Sequence, residues 1–141
     1  MAALTTDRNT QRKGEGRIVA EDAQLGANKT IFDGAMVAQN AGNLEPASDS
    51  AGVVTLGVAR QKMANATGAP AKVSPKASVH AGATFKFDTV AGGNAITAAD
   101  IGKQCFVVDD HTVARTGGTA NGIVAGIVDS IDPDGGIWVK F

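Results

Sequence analysis

Aromatic side chains and thiols are scarce in this chain of 141 residues, which contains no tyrosine, one tryptophan, five phenylalanines and one cysteine. The single cysteine, Cys105, excludes an intramolecular disulfide and is typical of a protein made in a reducing compartment. Because burial free energy scales with apolar area, a core of small aliphatic residues gains little per side chain. Such a core often depends on neighbouring subunits, which favours a protein that works in an assembly.

A charge excess and a long apolar run are also missing. Lys and Arg total 13 against 14 acidic residues, giving a net charge of -1. A general nucleic-acid-binding protein carries a basic excess instead. The longest apolar run, residues 122–128, is too short to cross a bilayer, and residues 1–13 lack the apolar segment of a secretory signal. We therefore expect synthesis in the cytoplasm, no membrane contact and no direct nucleic-acid partner.

Eighteen glycines punctuate the chain, and between them apolar and polar residues mostly alternate with the period of a β-strand. The only helical signal is one turn at residues 97–102. The pattern predicts a single all-β domain over residues 17–141, built as a sandwich or barrel. Its strands are predicted at residues 17–20, 35–39, 43–45, 53–62, 72–79, 83–88, 104–109, 112–115, 123–131 and 136–141.

The first 16 residues differ in composition from the rest, since Leu4 is almost their only side chain worth burying. They predict an extended polar arm that either frays, as polar termini do, or becomes ordered against a partner. The cations Arg8, Arg12, Lys13 and Arg17 outnumber the acidic residues around them. The segment therefore has a positive net charge.

The last hairpin has the clearest turn signal, Asp-Pro-Asp-Gly at residues 132–135. The strand before it is apolar on both faces through residue 128, which predicts a central strand. The strand after it carries Trp138. A lone tryptophan is often a core residue, but on a terminal strand it can also anchor an interface between copies of the chain. The residue pattern alone leaves both roles open.

Two segments of the chain, residues 35–59 and 105–128, share one pattern. Each has an apolar strand, a polar turn, one apolar residue, a loop of small residues and an apolar strand that contains a glycine, Gly57 or Gly126. The match predicts that one strand–turn–strand–loop–strand unit is used twice.

Asp109, Asp110 and His111 are the residue types closest to a metal or acid–base site. In the repeated pattern they fall on a turn, where aspartate is common because it tolerates unusual backbone angles and bonds to its own backbone. A structural zinc site needs four nitrogen or sulfur ligands, which two histidines and one cysteine do not easily supply. We predict a turn without a metal.

No other group of residues predicts catalysis. Cys105 opens an apolar strand, which favours a buried, inert thiol over a nucleophile. The glycine-rich residues 117–122 lack the Lys-Ser/Thr ending of a phosphate-binding loop. We therefore expect no cofactor, no catalytic residue and no enzymatic activity.

Several stretches, distributed from residue 4 to residue 139, resemble one family, so the resemblance extends over nearly the whole chain. They are Leu-Thr-Thr-Asp-Arg-Asn-Thr-Gln-Arg at residues 4–12, Pro-Ala-Ser-Asp at 46–49, Leu-Gly-Val-Ala at 56–59, Val-Asp-Asp-His-Thr-Val-Ala at 108–114, Gly-Ile-Val-Ala-Gly at 122–126 and Gly-Ile-Trp-Val at 136–139. In these stretches the chain resembles the capsid cement, or decoration, proteins of tailed bacteriophages. Gln11 and His111 depart from that pattern, which has proline and commonly glutamine there.

The resemblance implies a jelly-roll-like β-sandwich on the outer capsid surface of the virion, after synthesis in the bacterial host cytoplasm. There it would clamp neighbouring major capsid protein subunits and stabilise the shell against internal DNA pressure. An oligomer that contacts several subunits gains avidity. Local two-fold or three-fold axes of a shell favour a matching oligomer, and we expect a homodimer, with a trimer as the alternative. The resemblance also implies that Arg8, Arg12, Lys13 and Arg17 of the arm pair with acidic patches on the capsid. It further implies that Trp138 lies at an interface between copies of the chain, with the core as the alternative.

Two other functions stay open. A fibre base on the head surface, or a glycan-binding adhesin, would also suit a β-sandwich, although such sites usually use exposed aromatic rings and this chain has few. The more remote alternative is a metal-dependent hydrolase that uses Asp109, Asp110 and His111.

Overall fold

The computed structural model describes residues 2–72 and 79–141. Two short 3-10 helices, Gly92–Asn94 and Ala98–Asp100, accompany the strands in these ranges. The strands are β1 (Arg12–Lys13), β2 (Arg17–Val19), β3 (Gln24–Leu25), β4 (Thr30–Ile31), β5 (Met36–Asn40), β6 (Asn43–Pro46), β7 (Val54–Ala59), β8 (Met63–Ala64), β9 (Val79–Ala81), β10 (Thr84–Thr89), β11 (Gln104–Asp109), β12 (Thr112–Ala114), β13 (Val124–Ile131) and β14 (Ile137–Lys140). The all-β prediction is confirmed. Most of the strand predicted at residues 72–79 lies outside the described residues.

The strands form two curled six-stranded sheets and a separate pair, β4 with β8. One sheet has the order β2-β9-β7-β5-β6-β3, and the other has the order β1-β10-β12-β11-β13-β14. In the second sheet β10 also pairs with β14, so β10, β12, β11, β13 and β14 form a closed ring. This arrangement agrees with the predicted β-sandwich, while the jelly-roll connectivity is not confirmed.

The predicted repeat is confirmed by the strand pairings. In the first unit β5 pairs antiparallel with β6 and with β7, and in the second unit β11 pairs antiparallel with β12 and with β13. The correspondence extends further, because β7 pairs with β9 as β13 pairs with β14. Likewise β3 runs parallel to β6, as β10 runs parallel to β12.

A glycine occupies the same place in both units. Gly57 in β7 lies opposite Val37, and Gly126 in β13 lies opposite Cys105, each next to a shift in strand register. A side chain at Gly57 would collide with the carbonyl oxygen of His80, and one at Gly126 with that of Lys140. Both glycines are therefore required by the close approach of the neighbouring strand.

The buried apolar side chains form two clusters that share the first sheet. Met36 and Ala38 of β5 point into the larger cluster, with Phe85 and Phe87 of β10, whereas Val37 points into the smaller one. Since successive side chains of a strand point to opposite faces, β5 is covered on both sides.

The N-terminal segment lies along the two sheets. Arg8 N donates to Asp33 O at 2.7 Å, and the Thr10 hydroxyl donates to Gly34 O at 2.6 Å. Residues Arg12 and Lys13 then pair with the start of β10. Several residues of this segment are therefore already held by hydrogen bonds to the rest of the chain.

Candidate functional site

Arg8, the first of the predicted contact cations, is occupied by its own chain. Its Nη1 atom donates to Thr10 Oγ1 and to Lys86 O, both at 2.9 Å. Its Nη2 atom lies 3.2 Å from Asp88 Oδ1, and the guanidinium stands 5.2 Å from the ring centroid of Phe87. With these contacts Arg8 attaches the N-terminal segment to β10, so it has few donors left for a partner.

The other three predicted cations, Arg12, Lys13 and Arg17, are all exposed. Arg12 and Lys13 form β1 and Arg17 opens β2, and in the part of the chain that the structure describes these strands are the terminal strands of the two sheets. Next to Arg17, Ile18 is 53% exposed. We call the surface formed by Arg12, Lys13, Arg17 and Ile18 the N-terminal edge.

Ile18 was missed by the sequence reasoning, which counted only the charges of this segment. The signal that could have found it is an apolar side chain directly after Arg17 in the strand predicted at residues 17–20. On β9, His80 pairs with Ile18. Burial, followed by the positive charges of Arg12 and Arg60, lowers the pKa of His80, so this imidazole stays neutral at neutral pH. The positive charge of the N-terminal edge therefore comes from its arginines and Lys13.

Trp138, predicted at an oligomer interface, is only 4% exposed in the single chain. Its indole Nε1 donates to Asp132 Oδ1 at 3.1 Å, and Lys13 Nζ lies 4.2 Å from the ring centroid. The N-terminal segment thus covers this ring. These contacts favour the core alternative. An interface role for Trp138 stays a prediction, and the ring offers little exposed surface for it.

The turn between β11 and β12 brings Asp109, Asp110 and His111 together. One possible ligand atom from each residue lies within 4.8 Å of the others. His111 Nδ1 is 3.1 Å from Asp109 Oδ1 and 3.1 Å from Asp110 Oδ1. Asp109 Oδ1 also accepts the backbone N–H of His111 at 3.0 Å, which is the local turn contact expected of aspartate.

Burial distinguishes this turn from an ordinary surface turn. Asp109 is 4% exposed and Asp110 1% exposed, because strand β5 and the N-terminal segment lie against them. Met36 N donates to the carbonyl of Asp110 at 2.7 Å, and Leu4 N donates to Asp110 Oδ1 at 2.9 Å. The sequence predicted the turn and its residue types, but not this cover.

Cys105 has the inert character that its strand predicted. The side chain is fully buried, and its Sγ lies 3.6 Å from Gly126 O. Burial raises the pKa of the thiol to about 12, so almost none of it is thiolate at neutral pH.

In the described residues, no helix is long and apolar enough to cross a membrane. Comparison with protein-family models, with curated proteins and with solved structures finds no match to this chain.

Proposed function

We propose that the protein is a structural component of a phage virion that binds the outer surface of the assembled head and clamps neighbouring major capsid protein subunits. The proposal combines the sequence resemblance to capsid cement proteins with the character of the N-terminal edge. Its role would be to stabilise the shell against internal DNA pressure.

The N-terminal edge is the observation that carries the proposal. A terminal strand presents unpaired backbone N–H and C=O groups to which another chain can add a strand. Here two terminal strands follow each other along the chain, joined by residues 14–16, and both carry exposed cations. Ile18 adds apolar area beside them. A partner with an acidic, extended segment would match this surface in charge and in backbone hydrogen bonding.

A contact of this size is modest for one copy of the protein. Exposed ion pairs contribute only about 0–1 kcal/mol each and are screened by salt. A homodimer, which we favour over a trimer, would present the N-terminal edge twice, and simultaneous binding to two capsid subunits raises the effective affinity by about 100-fold or more. This is why binding is expected to depend on the assembled lattice.

Glycan binding, the alternative function, has less support from the side chains. All six aromatic residues lie in the described part of the chain, and none of them is largely exposed. Phe85 and Phe87 are fully buried, and Trp138 nearly so, while the other three phenylalanines are half-buried. A sugar would therefore find little open ring surface to stack against.

The test is co-sedimentation of the purified protein with expanded heads that lack it, and with unassembled capsid subunits. We expect saturable binding to heads and little binding to free subunits. The double variant Arg12→Glu, Arg17→Glu should bind heads at least about tenfold more weakly, because two favourable charge contacts become repulsive. Lys103→Glu, which reverses an exposed charge away from the N-terminal edge, is the matched control.

Three outcomes separate the possibilities. Loss of head binding in the double variant, with the control unchanged, supports the proposal. Unchanged binding of the double variant would leave head binding intact and move the contact away from the N-terminal edge. Absence of wild-type binding to either target would contradict the proposal, and a glycan array would then test the adhesin alternative.

A further inference from the structure

We propose that Asp109, Asp110 and His111 form a binding site for one divalent transition-metal ion, with zinc as the first candidate, and that the ion has a structural role. The inference rests on the turn between β11 and β12 and is independent of the proposed head binding. It revises the sequence prediction of a turn without a metal.

The distances between the possible ligand atoms suit an ion. Zinc binds histidine nitrogen and carboxylate oxygen at about 2.0–2.2 Å, so two ligands of one ion lie about 3.0–3.4 Å apart at angles between a right angle and a tetrahedral one. His111 Nδ1 lies 3.1 Å from one oxygen of each carboxylate. A mixed set of imidazole nitrogen and carboxylate oxygen is a common choice for zinc.

Unpartnered oxygens provide the second observation. Asp109 Oδ2 and Asp110 Oδ2 are inaccessible to solvent and have no hydrogen-bond partner among the described residues. The hydroxyl of Thr112, a residue that is 1% exposed, is also without a partner. Thr112 lies directly opposite Asp109 in the β11–β12 pairing, so the two side chains share one face. Two buried carboxylate oxygens and one buried hydroxyl, all without a partner, therefore lie at the turn or directly beside it.

The charges of the two carboxylates at the turn also favour a bound cation. Across residues 2–72 and 79–141, the imidazole of His111 is the one basic side chain that lies against either carboxylate. Two adjacent buried carboxylates are costly unless a cation or several donors compensate them. A divalent ion would compensate both charges.

The burial favours a structural ion over a catalytic one. Asp110 Oδ1 accepts the N–H of Leu4, and a carboxylate with one hydrogen bond to it still has lone pairs for an ion on both oxygens. His111 is the most open member, with a side chain that is 20% exposed, so the ion would enter beside its ring. A substrate could hardly reach an ion through the same opening, which separates this site from the hydrolase alternative.

The experiment uses the full-length protein, stripped with a chelator and then titrated with zinc chloride against a chromophoric competitor. We expect one zinc ion per chain and a rise in the thermal unfolding midpoint on zinc addition. Asp110→Asn retains an oxygen that can accept the Leu4 N–H, and His111→Gln removes the imidazole at a half-open position. Each should weaken zinc binding by about 100-fold or more, since even an outer partner of a zinc ligand can account for a 10- to 100-fold loss.

His80→Gln is the matched control because it removes the other histidine of the chain. One zinc ion per chain in wild type and in His80→Gln, lost in both turn variants, supports the site. No stoichiometric zinc binding by wild type would overturn it, leaving a turn held by an imidazole between two carboxylates. Equal binding in wild type, Asp110→Asn and His111→Gln would overturn it as well, because the ion would then lie elsewhere.

Discussion

Trp138 offers the sharpest test of how this chain is stabilised, because the sequence and the structure favour different roles for it. In the single chain the ring is almost completely covered, with Lys13 above its face and Asp132 at its edge. We therefore predict that Trp138→Ala unfolds the protein more easily, before any effect on oligomerisation becomes measurable.

The expected loss of unfolding free energy can be worked out separately for the ring, its hydrogen bond and the cation above it. Replacing a buried tryptophan by alanine costs about 3–5 kcal/mol in lost transfer free energy and residual cavity. The Nε1 hydrogen bond to a carboxylate accounts for about 1.5–3 kcal/mol, and Trp138→Phe removes it together with part of the ring volume. Removing the cation with Lys13→Ala costs about 0.5–1 kcal/mol. The expected order of stability is wild type, Lys13→Ala, Trp138→Phe and Trp138→Ala.

These losses are large compared with the total stability, which for a domain is about 5–15 kcal/mol. For a chain of this length, 1 kcal/mol lowers the thermal midpoint by about 3 °C, so Trp138→Ala should lower it by about 10 °C or more. The assay is thermal and urea unfolding followed by far-UV circular dichroism, since the substitution removes the only tryptophan and with it the intrinsic fluorescence probe. Sedimentation velocity on the same samples measures the oligomeric state.

Ile101→Ala, which trims an exposed apolar side chain, controls for loss of apolar area as such and should change stability by no more than about 0.5 kcal/mol. If Trp138→Ala kept the wild-type unfolding midpoint while lowering the sedimentation coefficient of an oligomer, the core assignment would be refuted. Trp138 would then be an interface residue whose burial in the single chain contributes little to folding stability.

Three further predictions concern the packing, charge and thiol of the same sheet. Gly126→Ala should destabilise the protein by about 1–3 kcal/mol in urea unfolding, because the added methyl meets the carbonyl oxygen of Lys140, whereas Gly93→Ala, in open space, should be nearly neutral. Backbone and indole hydrogen bonds lower the pKa of Asp132 from 3.8 to about 2, so its stabilising contribution is complete above about pH 4 and is lost as the pH falls towards 2. Asp132→Asn should therefore flatten the acid limb of a stability–pH profile, and an unchanged limb would contradict this. Cys105 should react with a thiol reagent only at the rate of unfolding, and rapid labelling of the folded protein would show that its strand opens locally.

Much of the fold could be predicted because it depends on local pattern. The alternation of apolar residues placed most of the strands, and the Asp-Pro-Asp-Gly turn at residues 132–135 does join β13 to β14. The repeat was visible because both units need a glycine where two strands approach closely, at Gly57 and Gly126. These features are encoded within short segments of the chain, so a single sequence contains them.

The course of the N-terminal segment could not be predicted in the same way. Its composition is that of a disordered tail, yet Arg8 reaches β10 and Thr10 reaches the loop before β5. Gly34 makes this possible, because any side chain there would collide with the carbonyl oxygen of Arg8. Hydrogen bonds to backbone groups far along the chain leave no periodic signal in a polar segment, so only the folded structure reveals them.

The repeated turn shows most clearly how equivalent positions of a repeat can acquire different chemistry. In the first unit the turn at Asn40, Ala41 and Gly42 is exposed, and its strained backbone is accommodated by Gly42 and by the Gln39 side chain, which accepts the Gly42 N–H. In the second unit the equivalent turn is covered by Leu4 and by β5, so its two carboxylates are removed from water. The repeat correctly predicts that each of the two turns joins a pair of antiparallel strands. It carries no information about which turn another part of the chain will bury, and burial is what converts two ordinary turn aspartates into a candidate metal site.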